Sequence, residues 1–273
     1  NYLDFSDAYF DEDSYLASVN VAHNLASLYF RTFDEKFVEE IRSYAINYFR
    51  KILSNLGWEP QKSDKHTDAL LRTFTIAVLG KMNDDTVTVE AIKKYHKFLK
   101  SPSSLSPDLI ETICSIAAWN GNSKTFAELK KLYTNAKTME EKLRFLGAMC
   151  GFQDKKLLIK TLDFSQTAAV RSQNMQLPIM KIAGNPYGDK VLWSWLKKNW
   201  KKINKKVGHG NPLFNRIVAS ITGVADDSME KEIKLFFKNN PTPGTERTQS
   251  QTLERIRINS KFLRTMRKEF KNG

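Results

Sequence analysis

The sequence predicts an all-α protein, on three observations. Apolar residues recur at three- and four-residue steps along most of the chain, and no segment alternates as a strand would. Glycine and proline are scarce, at 12 and 8 in 273 residues. Near residues 36–56, Phe37, Ile41, Tyr44, Ala45, Tyr48, Phe49, Ile52 and Leu53 keep helical spacing until Gly57 stops the run. Leu70, Leu71, Phe74, Val78 and Leu79 repeat it as far as Gly80, which reads as the next stop. Ser106, Pro107 and Asp108 read as an N-cap with proline at the first helical position. The helix they open carries Ile110, Ile113, Cys114 and Ala117, and Gly121 ends it. Thr138 and Glu141 have capping-box spacing and open a helix through Leu143, Leu146 and Met149. Further helices are predicted over 154–163, 165–174, 177–184, 188–205, 212–222 and 226–239. The last, over 245–270, has Leu253, Ile256, Phe262, Leu263, Met266 and Phe270 on one side.

Most of these helices run about 10 to 20 residues, and tight turns such as Asn120-Gly121-Asn122 join them. Short amphipathic helices in series suit an α-solenoid of the HEAT or armadillo kind, a superhelical array of paired helices. About fourteen of them exceed what a four-helix core accommodates. Residues 1–273 are read as a single helical domain. No apolar run reaches the roughly 18 residues of a membrane span. The opening Asn1-Tyr2-Leu3-Asp4-Phe5 does not resemble a signal peptide, and the start reads as a cut within a longer protein or a processed end. Cys114 and Cys150, both in apolar helical contexts, read as buried free thiols, which fits a reducing, cytoplasmic setting.

The net charge of +13 is unevenly spread. Residues 1–40 hold nine acidic and two basic residues, whereas 153–207 hold three acidic and twelve basic ones. Such a gradient either steers an acidic ligand to the C-terminal half or is a solvated lysine surface. Residues 191–207 concentrate it, with Trp193, Trp195, Trp200 and six lysines but no acid. Two readings stand for this segment. One is a nucleic-acid surface of interleaved cations and rings. The other is an amphipathic helix whose tryptophans wedge between neighbours while its lysines face solvent. The two- and five-residue spacings are read as scattering the tryptophans over more than one face.

Catalytic chemistry is nearly absent. His23, His66, His96 and His209 include no pair at i and i+4, so no His-Glu-x-x-His zinc site exists. Two cysteines are too few for a structural zinc, and no phosphate loop or nucleophile elbow occurs. Gly147-Ala148-Met149-Cys150 approaches the Gly-Ala-Met-Glu-Asn motif of exopeptidases. Cys150 stands where that motif's glutamate binds the substrate amine, so the run reads as a small-residue helix contact. His96 reads as a surface residue, and His209 lies in a glycine-flanked turn.

Read in order, the second half carries Val170-Arg171-Ser172-Gln173-Asn174, Ile182-Ala183-Gly184-Asn185-Pro186, Leu192-Trp193-Ser194-Trp195 and Asn199-Trp200. Leu213-Phe214-Asn215-Arg216-Ile217-Val218, Ile233-Lys234-Leu235-Phe236-Phe237 and Leu253-Glu254-Arg255-Ile256-Arg257-Ile258-Asn259 follow. With Leu56-Gly57-Trp58-Glu59-Pro60 and His66-Thr67-Asp68-Ala69-Leu70-Leu71-Arg72, this order resembles the C-terminal helical domain of zinc aminopeptidases. The group is the aminopeptidase N and puromycin-sensitive type, which includes the endoplasmic-reticulum peptide trimmers and the archaeal tricorn-interacting aminopeptidases. The resemblance spans nearly the whole chain.

It implies that the zinc, its ligands and the catalytic glutamate belong to a preceding domain absent here, leaving this chain without a cofactor or catalytic residues. The implied partners are that catalytic domain and peptide substrates, with no membrane and no nucleic acid. The implied architecture is a bowl that caps the active site and shapes the peptide cavity. Arg216 matches an arginine that the family aims at that cavity, where a guanidinium can hold a carboxylate or peptide carbonyls. Its alternative is an ion pair inside the array. Arg171 is a second substrate-binding candidate, and Asn174 stands where the family often has aspartate. A free-standing HEAT-like scaffold that binds an acidic protein or nucleic acid through its lysine-rich half is the alternative function.

Overall fold

The computed structural model describes residues 15–207, 211–223 and 227–270. They form thirteen α-helices and four short 3-10 turns, and no strand occurs among the described residues, as the periodicity predicts. The helices gather into two compact units, one through Asn120 and one from Gly121.

The N-terminal unit contains α1 (Tyr15–Arg31), α2 (Val38–Leu56), α3 (His66–Lys81), α4 (Asp85–Lys100) and α5 (Pro107–Trp119). Each packs against the next, and α3 also packs against α5. Gly57 ends α2 with φ of 65°, a left-handed conformation that glycine adopts without a Cβ clash. Arg72, only 1% exposed, reaches back from α3 to that turn. Its Nη2 donates to Leu56 O at 2.9 Å and to Asp64 Oδ2 at 2.6 Å, and its Nε donates to Gly57 O at 3.1 Å. Backbone donation from Gln61 is the largest influence on the Asp64 carboxyl; against the opposing effect of burial, it and Arg72 hold the group below its ordinary range. The Leu56-to-Arg72 stretch of the sequence is therefore one hydrogen-bonded corner.

Two sequence expectations change in this unit. Gly80 does not stop α3, which continues through Lys81. A Cβ at Gly80 would fall 2.5 Å from Ile116 Cγ1, so the glycine lets α3 and α5 approach closely. Ser106 occupies the cap position of α5, but its side chain makes no capping bond; Pro107 at the first position leaves one fewer donor to satisfy. Asp84 caps α4 instead, accepting from Val87 N at 2.9 Å, Thr86 Oγ1 at 2.6 Å and Arg50 Nε of α2 at 2.6 Å.

The C-terminal unit contains α6 (Ser123–Asn135), α7 (Met139–Ala148), α8 (Lys155–Ser165) and α9 (Gln176–Ala183). It continues with α10 (Asp189–Val207), α11 (Pro212–Ala219), α12 (Asp227–Asn239) and α13 (Glu246–Glu269). The predicted capping box forms: Glu141 N donates to Thr138 Oγ1 at 3.2 Å, and Thr138 N donates to Glu141 Oε2 at 3.1 Å. The helix predicted over 165–174 does not form. Residues 166–170 turn, and only Ser172–Asn174 make a 3-10 turn. Ser165 and Thr167 hydroxyls donate to the Leu162 and Phe164 carbonyls at 2.6 and 2.8 Å, which satisfies the end of α8 where it stops. Asn185 is a buried clasp: its Nδ2 donates to Cys150 O and Phe152 O at 3.0 and 2.9 Å, and its Oδ1 accepts from Tyr187 N. It ties the α9–α10 turn to the α7–α8 connection. Cys150 is buried there with its thiol on Leu146 O, and Cys114 is also a buried free thiol. Burial, then the charge of Glu111, push the Cys114 thiol up.

All three tryptophans of α10 are buried, at 2%, 5% and 2% exposure. Trp193 and Trp200 are seven residues apart, nearly two full turns, and share a face, but the three tryptophans do not all share one, as the spacings predict. Both meet Phe236 of α12 edge-on, at centroid distances of 5.1 and 5.3 Å. Trp200 also meets Phe214 of α11 and Phe237 of α12, at 5.3 and 5.6 Å. Trp195 points the other way, donating to Asp163 Oδ1 of α8 at 2.8 Å. Lys197, Lys198, Lys201, Lys202 and Lys205 are exposed, as expected. Lys206 is half-buried and donates to Gln166 O at 3.2 Å; burial, then Lys202, lower its pKa.

Gly80→Ala should lower the unfolding free energy by about 1–3 kcal/mol through overpacking against Ile116, measured by urea denaturation. A neutral result would show that α3 and α5 separate freely. Burial alone would raise the Asp84 carboxyl, but hydrogen bonds from Thr86, Val87 and Arg50 outweigh it and hold the pKa down. Its ionised form thus adds stability that is present above the ordinary carboxylate range and lost as the pH falls through the depressed value. Asp84→Ala should cost about 1–2 kcal/mol near pH 7 from the lost cap, and the deficit should shrink below about pH 4. Thermal melts of both proteins across that range check it.

Candidate functional site

Arg216 lies on α11, a helix of only 8 residues held on several sides. Asn211 caps it by accepting from Leu213 N at 2.9 Å, and Pro212 takes the first position. Phe214, Ile217 and Val218 are buried. Asn215 Oδ1 accepts from Thr248 Oγ1 of α13 at 2.6 Å, and Thr252 Oγ1 of the same helix donates to Val218 O at 3.3 Å. With that face occupied, Arg216 is left exposed on the other side. Its Nη1 makes one long hydrogen bond, 3.4 Å, to Gln176 Oε1 at the start of α9.

No acidic side chain pairs with Arg216 among the described residues, so the ion-pair alternative has no partner there. A neutral amide partner orients the guanidinium without consuming its charge. Arg171 is also exposed and begins the 3-10 turn that leads into α9, its carbonyl accepting from Asn174 N at 2.9 Å. The structure therefore brings both predicted arginines to the start of α9 in the C-terminal unit, and among the described residues Arg216 is the one whose side chain bonds to it. Asn174, where the resemblance leads one to expect an aspartate, donates its amide to Met139 Sδ at 3.1 Å, a contact without charge. Gln176, Asn215 and Thr248 were not visible as site residues, because their partners lie 33 to 40 positions away.

The lysine face of α10 lacks half of what a base-binding surface uses. Sequence-tolerant binding of single strands needs exposed rings for stacking, and Trp193, Trp195 and Trp200 are all inside. The histidines offer no cluster either. His23, His66 and His96 are exposed, with His23 stacked on Phe74 at 4.2 Å, and His209 lies outside the described residues. Among the described residues, no group of three or more His, Cys, Asp or Glu side chains could hold a metal ion. No described helix is long and apolar enough to cross a membrane.

Comparison with known proteins shows the family of the chain. The family model of the ERAP1-like C-terminal domain matches residues 1–258. Aminopeptidase M1-D of Oryza sativa subsp. japonica is 29% identical over 234 residues, 84% of this chain and 27% of the relative. Aminopeptidase M1 of Arabidopsis thaliana is 26% identical over 241 residues, 86% of this chain and 27% of the relative. Aminopeptidase 2, mitochondrial, of Saccharomyces cerevisiae is 24% identical over 270 residues, 96% of this chain and 28% of the relative. The chain thus spans little more than a quarter of the length of these aminopeptidases. A match over residues 1–258 of 273 establishes the relationship: the chain belongs to the family of ERAP1-like C-terminal domains.

Proposed function

We propose that this chain is the part of a zinc-dependent aminopeptidase that caps the active site and shapes the cavity receiving the peptide, with Arg216 presented to the substrate. The observation that carries the reading is an exposed guanidinium on a rigidly seated helix, oriented by Gln176 and without an acidic partner among the described residues. Such a group suits the carbonyls or terminal carboxylate of a peptide, because it keeps its charge at any physiological pH and offers a planar fork. Arg171, exposed at the turn before α9, is the second contact in this proposal. Its lack of any described side-chain anchor makes it the more mobile and the less selective of the two.

The partner implied by this role is the catalytic domain of the same polypeptide. Hydrolysis would depend on zinc held there. The described residues of this chain do not fit a metal ion, and no chemical step is assigned to them. What they do is bind and orient. A peptide long enough to extend from the reacting amino end to this unit would gain affinity from Arg216, whereas an amino acid carrying only a small leaving group would not. Remote binding of this kind contributes to turnover of long substrates without touching the scissile bond.

Arg216→Ala in the full-length aminopeptidase should therefore lower kcat/KM for long peptides by about tenfold or more, the scale of one lost charge-assisted hydrogen bond. Turnover of a single-residue chromogenic substrate should change by less than about twofold. Arg216→Lys should restore part of the loss, since charge returns without the fork. Equal losses on both substrates would contradict the reading. So would zinc-dependent release of amino acids by this chain alone.

A further inference from the structure

The charges of α12 are divided in an uneven way. Glu230 and Glu232 are committed within the fold: Glu230 Oε1 accepts from Arg257 Nε of α13 at 2.8 Å, and Glu232 pairs with Lys197 of α10. Lys231, Lys234 and Lys238 are exposed, and none has an acidic partner among the described residues. Their spacing, i, i+3 and i+7, places them along one side of the helix over about 10 Å. They line a cleft of about 530 Å³ between α12 and α13, whose apolar lining includes Leu235 and Leu253. Leu235 is 58% exposed, an apolar side chain set among three exposed cations.

We propose that this cleft docks an acidic amphipathic segment of a partner protein. An aliphatic side chain of the segment lies against Leu235 and Leu253, and its carboxylates meet Lys231, Lys234 and Lys238. An apolar centre within a charged rim is the anatomy of a small protein interface. Charge complementarity selects the occupant, because Glu230 and Glu232 of α12, which could have neutralised the rim, are turned towards α13 and α10. Nucleic acid fits less well. The ring nearest the cleft, Phe237, is 5% exposed, so no stacking platform is presented. An anionic bilayer fits less well too, because an interfacial helix needs a broad apolar face and this one offers a single leucine between lysines.

The test is fluorescence anisotropy on the 273-residue chain with a fluorescein-labelled acidic peptide, its leucines at helical spacing among glutamates. Its controls are the same peptide with the leucines replaced by alanine, a single-stranded oligonucleotide of equal charge, and phosphatidylserine vesicles. The leucine peptide should bind, and the alanine peptide should bind about tenfold more weakly, as expected for one buried aliphatic side chain. Lys234→Glu with Lys238→Glu should weaken the leucine peptide at least tenfold, because two attractive contacts become repulsive. Leu235→Ser should weaken it several-fold while leaving the melting temperature unchanged, since its side chain is exposed. No binding of the leucine peptide would overturn the proposal, as would equal binding of the alanine peptide or indifference to all three substitutions. Tighter binding of the oligonucleotide or of the vesicles would overturn it in favour of those ligands.

Discussion

The C-terminal unit depends on the burial of one strongly basic helix from two opposite sides. Trp193 and Trp200 pack α10 against α12, Trp200 adds α11, and Trp195 anchors α10 to Asp163 of α8. A buried tryptophan removes about 150–250 Å² from water, on the order of 4–6 kcal/mol of hydrophobic stabilisation each. The ion pair between Lys197 and Glu232, both partly exposed, contributes no more than about 1 kcal/mol. Trp193 Nε1 and Trp200 Nε1 are buried without hydrogen-bond partners among the described residues, a cost of at most about 1–3 kcal/mol each. Aromatic burial exceeds both effects. The lysines occupy the surface that the rings leave over.

The placement of both proposed binding regions follows from that packing. Phe214 seats α11 against Trp200, and Arg216, two residues further along the helix, is thereby turned away from the core towards Gln176. Phe236 and Phe237 hold α12 against the same indole, which fixes the side on which Lys231, Lys234 and Lys238 emerge. One ring thus sets the direction of a single exposed arginine on one helix and of a lysine-rimmed cleft on another. The Asn185 clasp performs the equivalent task for α9, whose first residue, Gln176, orients the arginine.

Much of this was legible in the sequence, because helical periodicity and capping are local. The Thr138–Glu141 box, the Gly57 stop and the run from 188 to 205 required no knowledge of distant residues. Arg216 and Arg171 came from an ordered resemblance, and several residues that carry it are packed into the fold: Asn185 clasps the Cys150 and Phe152 carbonyls, and Trp200 meets Phe214. The errors had distant and local causes. Gly80 resembled a stop because Ile116, which needs its missing Cβ, lies far along the chain. The helix expected over 165–174 lost to hydroxyl groups that satisfy the end of α8 earlier. The spread of the tryptophans over more than one face was legible in their spacings, whereas their partners Asp163 and Phe236, distant in the chain, were not. The α12–α13 cleft had no sequence signal at all, since it exists only once Glu230 and Glu232 have found Arg257 and Lys197.

The central claim is that this domain meets the substrate through the α9–α11 end of its C-terminal unit. Photo-crosslinking tests it most directly. A long peptide substrate with a photoreactive residue near its carboxyl end is bound to the full-length aminopeptidase, irradiated and mapped by mass spectrometry. The account predicts crosslinks on α11 and at the start of α9, around Arg216 and Gln176, and their loss in Arg216→Ala. Crosslinks confined to the catalytic domain, or to α12 and α13, would contradict it.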